Sequence, residues 1–93
     1  MKFMMTFEWA PDTRTRGEAI ARFRATGGLP PKGAKLLGRW TRADFSGGYG
    51  LIDTEDPQAL AEFALQWSDL MQLRILPVLE DGALSEVLER TSK

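Results

Sequence analysis

Arg39, Trp40, Tyr49 and Asp53 are the residues of this 93-residue chain whose types and spacing could do chemistry. They flank a turn, in the segments Leu36-Leu37-Gly38-Arg39-Trp40-Thr41 and Gly47-Gly48-Tyr49-Gly50-Leu51-Ile52-Asp53. Arginine supplies forked, permanently charged donors that suit a carboxylate or another anion. If the two segments are strands paired with odd residues opposite odd, Arg39, Thr41, Tyr49 and Asp53 share a face as direct or diagonal neighbours. The chemistry is then either recognition of a small polar or anionic ligand or a structural Arg39–Asp53 ion pair inside an interface. One bulge would invert the relative parity and part them. Trp40 is expected to cover Gly48 and Gly50, or to leave beside itself a slot for a flat ligand. Ligand binding is therefore assigned to Arg39, Tyr49, Asp53 and Trp40, with no catalytic residue and no metal.

Other chemistries find less support. The chain has no cysteine and no histidine. Disulfides, thiolate metal sites and cysteine nucleophiles are excluded, and the commonest general base and haem ligand is missing. No cofactor is expected. Glu8 and Asp53 are the carboxylates nearest the strands, but nothing in the sequence sets the separation that an acid–base pair needs. Gly48, Tyr49, Gly50 and Ile52 match parts of the RNA-recognition-motif signature. Gly47 stands where that motif begins with Lys or Arg, and Leu51 and Thr54 stand where it wants aromatics. A formal net charge of −1 also argues against a nucleic-acid partner. Gly47-Gly48 has neither a following helix N-terminus nor a P-loop lysine. Arg14, Arg16, Arg22 and Arg24 read as a solvated helix face.

The elements that must position these residues can be read in order. Lys2 to Trp9 alternates, with Phe3, Met5, Phe7 and Trp9 on one face, and is a strand. Trp9 could be core or the rim of a pocket. Thr15 and Glu18 have capping-box spacing ahead of the helical stripe Ala19, Ile20, Phe23. Gly27 or Gly28 ends that helix, and Pro30-Pro31 prevents its continuation. Strands follow over about Lys35 to Arg42 and Gly48 to Thr54, joined by a turn over Asp44 to Gly47. Asp56 before Pro57 starts a second helix carrying Leu60, Phe63, Ala64, Trp67, Leu70 and Met71, which frays near Ser68-Asp69. Trp67 is expected in the core. Leu73 to Leu79 is the fourth strand, placed at an edge because Pro77 lacks an amide donor. Asp81 caps a short last helix with Leu84, Val87 and Leu88.

Right-handed crossovers turn this order into one α+β domain over residues 1–93. It is a ferredoxin-like βαββαβ fold with a four-stranded antiparallel sheet in the order 4-1-3-2. Two helices cover one face, and a short C-terminal helix follows. Apolar side chains nevertheless occur at both parities of the strands. A small chain buries only roughly 60–65% of its unfolded surface. Both points lead to a homodimer with the open sheet faces together. No stretch approaches the ~20 apolar residues of a membrane span. The start of the chain resembles no signal peptide, so no membrane partner and a cytoplasmic location are expected.

The run Lys35 to Trp40, Ser46-Gly47-Gly48-Tyr49, Asp53 to Leu60 and Gln66-Trp67-Ser68-Asp69-Leu70, ending in Pro77-Val78-Leu79, resembles domain-of-unknown-function family 3303. The resemblance covers nearly the whole chain. It implies a small bacterial protein of the dimeric α/β-barrel kind with no assigned activity. Thr41 departs from it, because histidine is expected there. The function expected is non-catalytic binding of a small polar or aromatic ligand by a homodimer. An enzyme similar in fold to cofactor-free or haem-using monooxygenases is the alternative, and an RNA binder ranks behind both.

Overall fold

The computed structural model describes residues 1–92. The elements are β1 (Lys2–Trp9), α1 (Thr13–Thr26), β2 (Ala34–Thr41), β3 (Gly47–Thr54), α2 (Pro57–Trp67), β4 (Met71–Pro77) and α3 (Asp81–Thr91). The sheet is antiparallel in the order β2-β3-β1-β4. This is the expected order read from the other edge, and Pro77 lies on an edge strand as its missing donor requires.

Local chemistry explains the helix ends. Asp12, not Thr15, caps α1: its carboxylate accepts from the Thr15 amide at 2.7 Å. The helix starts at Thr13, two residues before the expected cap Thr15. Gly27 closes it at φ +75°, its amide donating to Phe23 O at 2.7 Å, a left-handed exit that favours glycine. Asp56 and Pro57 begin α2 as expected, with Asp56 accepting from the Gln58 amide at 3.0 Å. Glu80 rather than Asp81 occupies the cap position of α3 and makes no side-chain capping bond.

The core lies between the sheet and α2. Met5 and Phe7 of β1 and Ile52 of β3 pack with Leu60, Phe63 and Trp67. Trp67 is thus core, as expected. Helix α1 is held more lightly, with only Ala19 buried. Helix α3 buries none of its described residues. The chain is correspondingly long, with extents of 55 × 29 × 18 Å. Its radius of gyration is 15.5 Å, against about 12 Å for a compact chain of this length.

The register of β2 overturns the grouping expected around Arg39. Leu36 pairs with Ile52, but Gly38 pairs with Leu51, so Leu37 is an extra residue in the strand. This bulge flips the parity of everything after it. Arg39 stands opposite Gly50 and Thr41 opposite Gly48, on the helix-covered face. Trp40 stands opposite Tyr49, and Lys35 opposite Asp53, on the open face. Arg39 and Asp53 therefore form no pair.

Candidate functional site

The helix-covered face is not filled at the hairpin end of the sheet. A chamber of about 360 Å³ opens there. Its floor is Met5, Phe7 and Trp9 of β1, with Leu73 and Met71 of β4 beside them. Phe63 and Trp67 close it on the α2 side, and Ile20 and Phe23 on the α1 side. Arg39, Thr41 and Phe45 complete it from the hairpin. The light seating of α1 is what leaves the space. Ala19 touches the core, while Phe23 keeps 43% of its surface exposed at the chamber's edge.

Arg39 crosses from β2 to the end of α1. Its Nη1 donates to Gly28 O at 2.6 Å and its Nη2 to Gly27 O at 2.9 Å. The guanidinium lies 4.7 Å from the centre of the Phe23 ring, a cation–π distance. Helix C-termini carry partial negative charge, so the cation suits its position. Gly28 makes this approach feasible. It sits at φ +61°, and a Cβ there would lie 2.8 Å from Arg39 Nη1 and 2.9 Å from the Phe23 ring. Burial pulls the Arg39 guanidinium below the ordinary arginine range, although it remains a cation at any physiological pH. It forms no ion pair among the described residues.

Trp9 and Phe45 form the other wall. Their rings stack at 5.2 Å with an 11° interplanar angle. Phe7 meets Trp9 edge-on at 5.9 Å. Trp9 Nε1 is buried and lacks a hydrogen-bond partner, which is uncommon for an indole N–H. Phe45 holds φ at +62°, a conformation rarely adopted by a bulky residue. Two hydrogen bonds of the hairpin and one contact from α1 accompany it. The Phe45 amide donates to Arg42 O at 2.9 Å, Asp44 accepts from the Ser46 amide at 3.1 Å, and the Arg16 guanidinium lies over the Phe45 ring. Strain of this kind concentrates at functional positions.

The other residues assigned from sequence lie outside the chamber. Trp40 is 56% exposed on the open face. Its ring lies over Gly38, where a Cβ would come within 2.7 Å, rather than over Gly48 and Gly50. Those glycines are covered by the Phe7 ring and by Met5 Cε. Tyr49 accepts from Arg42 Nη1 at 3.3 Å, and Arg42 also donates to Glu8. Glu8 and, secondarily, Tyr49 push the Arg42 pKa up. Asp53 accepts from the Met1 amino group at 3.1 Å. Glu8 and Asp53 sit at opposite ends of the β1–β3 ladder, roughly 20 Å apart at the usual rise per strand residue. They cannot share a proton. No group of three or more carboxylates suited to a metal ion occurs among the described residues. No helix among them is long and apolar enough to cross a membrane.

Of the residues singled out from sequence, Arg39 lines the chamber, and so does Trp9, which also packs against the core. Sequence reasoning did not find Phe45, Phe23 or Gly28 as site residues. The available signals were a large aromatic inside a polar turn and a second glycine after the one that ends α1.

Comparison with known proteins agrees with this architecture. The family model described as "Domain of unknown function (DUF3303)" matches residues 1–92. No match was found among curated proteins. Among solved structures, that of Rv0793 from Mycobacterium tuberculosis is similar, with a TM-score of 0.54 at 14% identity. The match covers 87% of this chain and 98% of that one. At that identity the likeness speaks to the fold alone.

Proposed function

Because the chain belongs to DUF3303, a family defined as a domain of unknown function, its role has to be read from its own chamber, and we propose that it is a homodimeric small-molecule-binding protein that does not transform its ligand. The carrying observation is the aromatic-walled chamber of about 360 Å³ between the sheet and the helices. It lies in the size range of ligand sites and is largely preformed. The ionisable side chains lining it, among the described residues, are Arg24 and Arg39. Neither can act as a general base at neutral pH, which favours binding over catalysis.

The test uses 1-naphthalenemethanol as probe and amide NMR shifts as readout. Perturbations are expected at Phe7, Trp9, Phe23 and Trp67. They should disappear in Ile20→Trp, which fills the chamber from α1. Shifts confined to the open-face residues Leu51 and Leu76 would sink the reading. The aromatic walls also suit a cofactor-free monooxygenase-like enzyme. Oxygen uptake with aromatic or quinol substrates, lost in Ile20→Trp, would replace the binding reading with that one.

The second copy is proposed to cover the open face, making a dimeric α/β barrel of ferredoxin-like subunits. Leu51, Met4 and Leu76 align across β3, β1 and β4 in register. Trp40 pairs with Tyr49 beside them. Charged residues of both signs rim this apolar centre: Lys2, Lys35 and Asp53 at one end, Glu8, Arg42 and Arg74 at the other. The subunit exposes 6610 Å², about 1,200 Å² more than a compact monomer of 10.4 kDa. A standard interface buries about 800 Å² per partner. Helix α3 adds the exposed stripe Leu84, Val87 and Leu88. It leaves from the open-face side, where Lys2 Nζ donates to Glu80 Oε1 at 2.6 Å.

A further inference from the structure

We propose that the chamber selects an apolar or aromatic monoanion, and that Arg39 is the residue that meets its negative group. This rests on the reading of the chamber as a ligand site. The walls are hydrocarbon and aromatic, so the body of the ligand is apolar. The charge on those walls has one sign only. Arg39 and Arg24 line the chamber, and no carboxylate does among the described residues.

Arg39 differs from Arg22 and Arg42, which have carboxylate partners. Arg22 is paired with Asp69 and Arg42 with Glu8. Arg39 is partly desolvated, and among the described residues its acceptors are the neutral carbonyls of Gly27 and Gly28. A cation removed from water without a counter-charge is unfavourable, and an anion arriving beside it relieves that cost. The guanidinium also keeps donors to spare. With one hydrogen of each Nη directed at a carbonyl, the Nε hydrogen and the second hydrogen on each Nη remain.

The position is fixed before any ligand arrives. The Phe23 ring and the two carbonyls hold the guanidinium, and Gly28 is bare so that it fits. Preorganised donors lose less freedom on binding than mobile ones. A neutral acceptor can take a hydrogen bond from Arg39, but only an anion also meets its uncompensated charge, and this is why the chemistry of the site points to an acid rather than to an alcohol, ketone or amine.

The experiment is calorimetric titration of the full chain at neutral pH and low salt with two matched probes, 1-naphthoate and 1-naphthalenemethanol. The acid is expected to bind about tenfold or more tightly than the alcohol, the usual worth of a charge-assisted hydrogen bond. Arg39→Gln should erase that preference while the alcohol still binds. Arg14→Gln, outside the chamber on α1, should leave it intact. Equal affinity of both probes in the unmodified protein overturns the anion proposal and leaves the chamber reading standing. Binding of neither overturns both. A preference that survives Arg39→Gln, or is lost equally in Arg14→Gln, overturns the role given to Arg39. Should Arg39→Gln fail to fold, Arg39→Lys keeps the charge and loses the fork. It should bind 1-naphthoate several-fold more weakly, and unchanged affinity counts against Arg39.

Discussion

Arg39 and Gly28 are one feature divided between two distant points in the sequence. The arginine closes the end of α1 only because position 28 has no side chain. Gly28→Ala should therefore lower stability by about 2 kcal/mol, combining left-handed strain with a steric clash. Gly17 provides the contrast. It lies inside α1 with nothing within 4 Å of the site of a Cβ. Gly17→Ala should raise stability by about 0.5–1 kcal/mol, because alanine loses less entropy in a helix. Chemical denaturation of the two variants, compared with the parent, checks both signs.

Charge at the residue scale also sets the acid limit. Asp69 receives two bonds from Arg22, each at 2.9 Å, and that guanidinium holds its carboxyl below the ordinary value of 3.8. Hydrogen bonds from Thr15 and Ser46 act likewise on Asp12 and Asp44. A carboxyl depressed on folding contributes stability that is fully present above its unfolded pKa and fades as pH falls through the folded one. Stability should thus be insensitive to these groups at neutral pH and decline below about pH 4. Asp69→Asn should flatten part of that decline in thermal melts across the acid range.

At the scale of elements, the bulge at Leu37 decides which side chains meet the chamber. Leu36, Arg39 and Thr41 face the helices although they do not share a parity. Deleting Leu37 removes the extra residue and leaves every observed β2–β3 pair in place. The deleted protein should fold cooperatively and keep Arg39 at the end of α1. Inserting an alanine after Gly38 should instead turn Arg39 outward and Trp40 inward, with loss of the cooperative transition. Dispersed NMR spectra for the first and collapsed spectra for the second are the expected outcomes.

The same bulge shows where sequence reading stops. Asp56-Pro57, Gly27 and the Phe3-Met5-Phe7 alternation act through their immediate neighbours, so strand order, the start of α2 and the core were legible. A bulge results from competition between two registers, one of which buries Leu36 against Ile52 while the other seats Arg39 over Gly50. Neither pairing can be weighed without its partner strand. The expected Arg39–Asp53 pair failed for that reason. Phe45 stayed hidden because its stack on Trp9 brings together residues 36 positions apart, which no local preference encodes.

At the scale of the whole molecule, the proposed second copy would account together for the exposed surface and the extended α3. Leu51→Asp puts a charge in the middle of the open face and should yield a monomer in light scattering at concentrations where the parent is expected to be a dimer. Its helix-covered chamber should persist. Removing residues 81–93 should weaken the dimer without unfolding the sheet, since α3 buries nothing within its own subunit. A parent chain whose mass stays that of one copy at every concentration would count decisively against this assembly.

The light hold on α1 has a consequence in time. One buried alanine, the Arg39 clasp and the Arg22–Asp69 bridge attach this helix, whereas α2 is anchored by Leu60, Phe63 and Trp67. Segments with few buried contacts open locally long before a domain unfolds. The α1 wall of the chamber should therefore be its fastest-moving side, and an acid that gripped Arg39 would slow that motion.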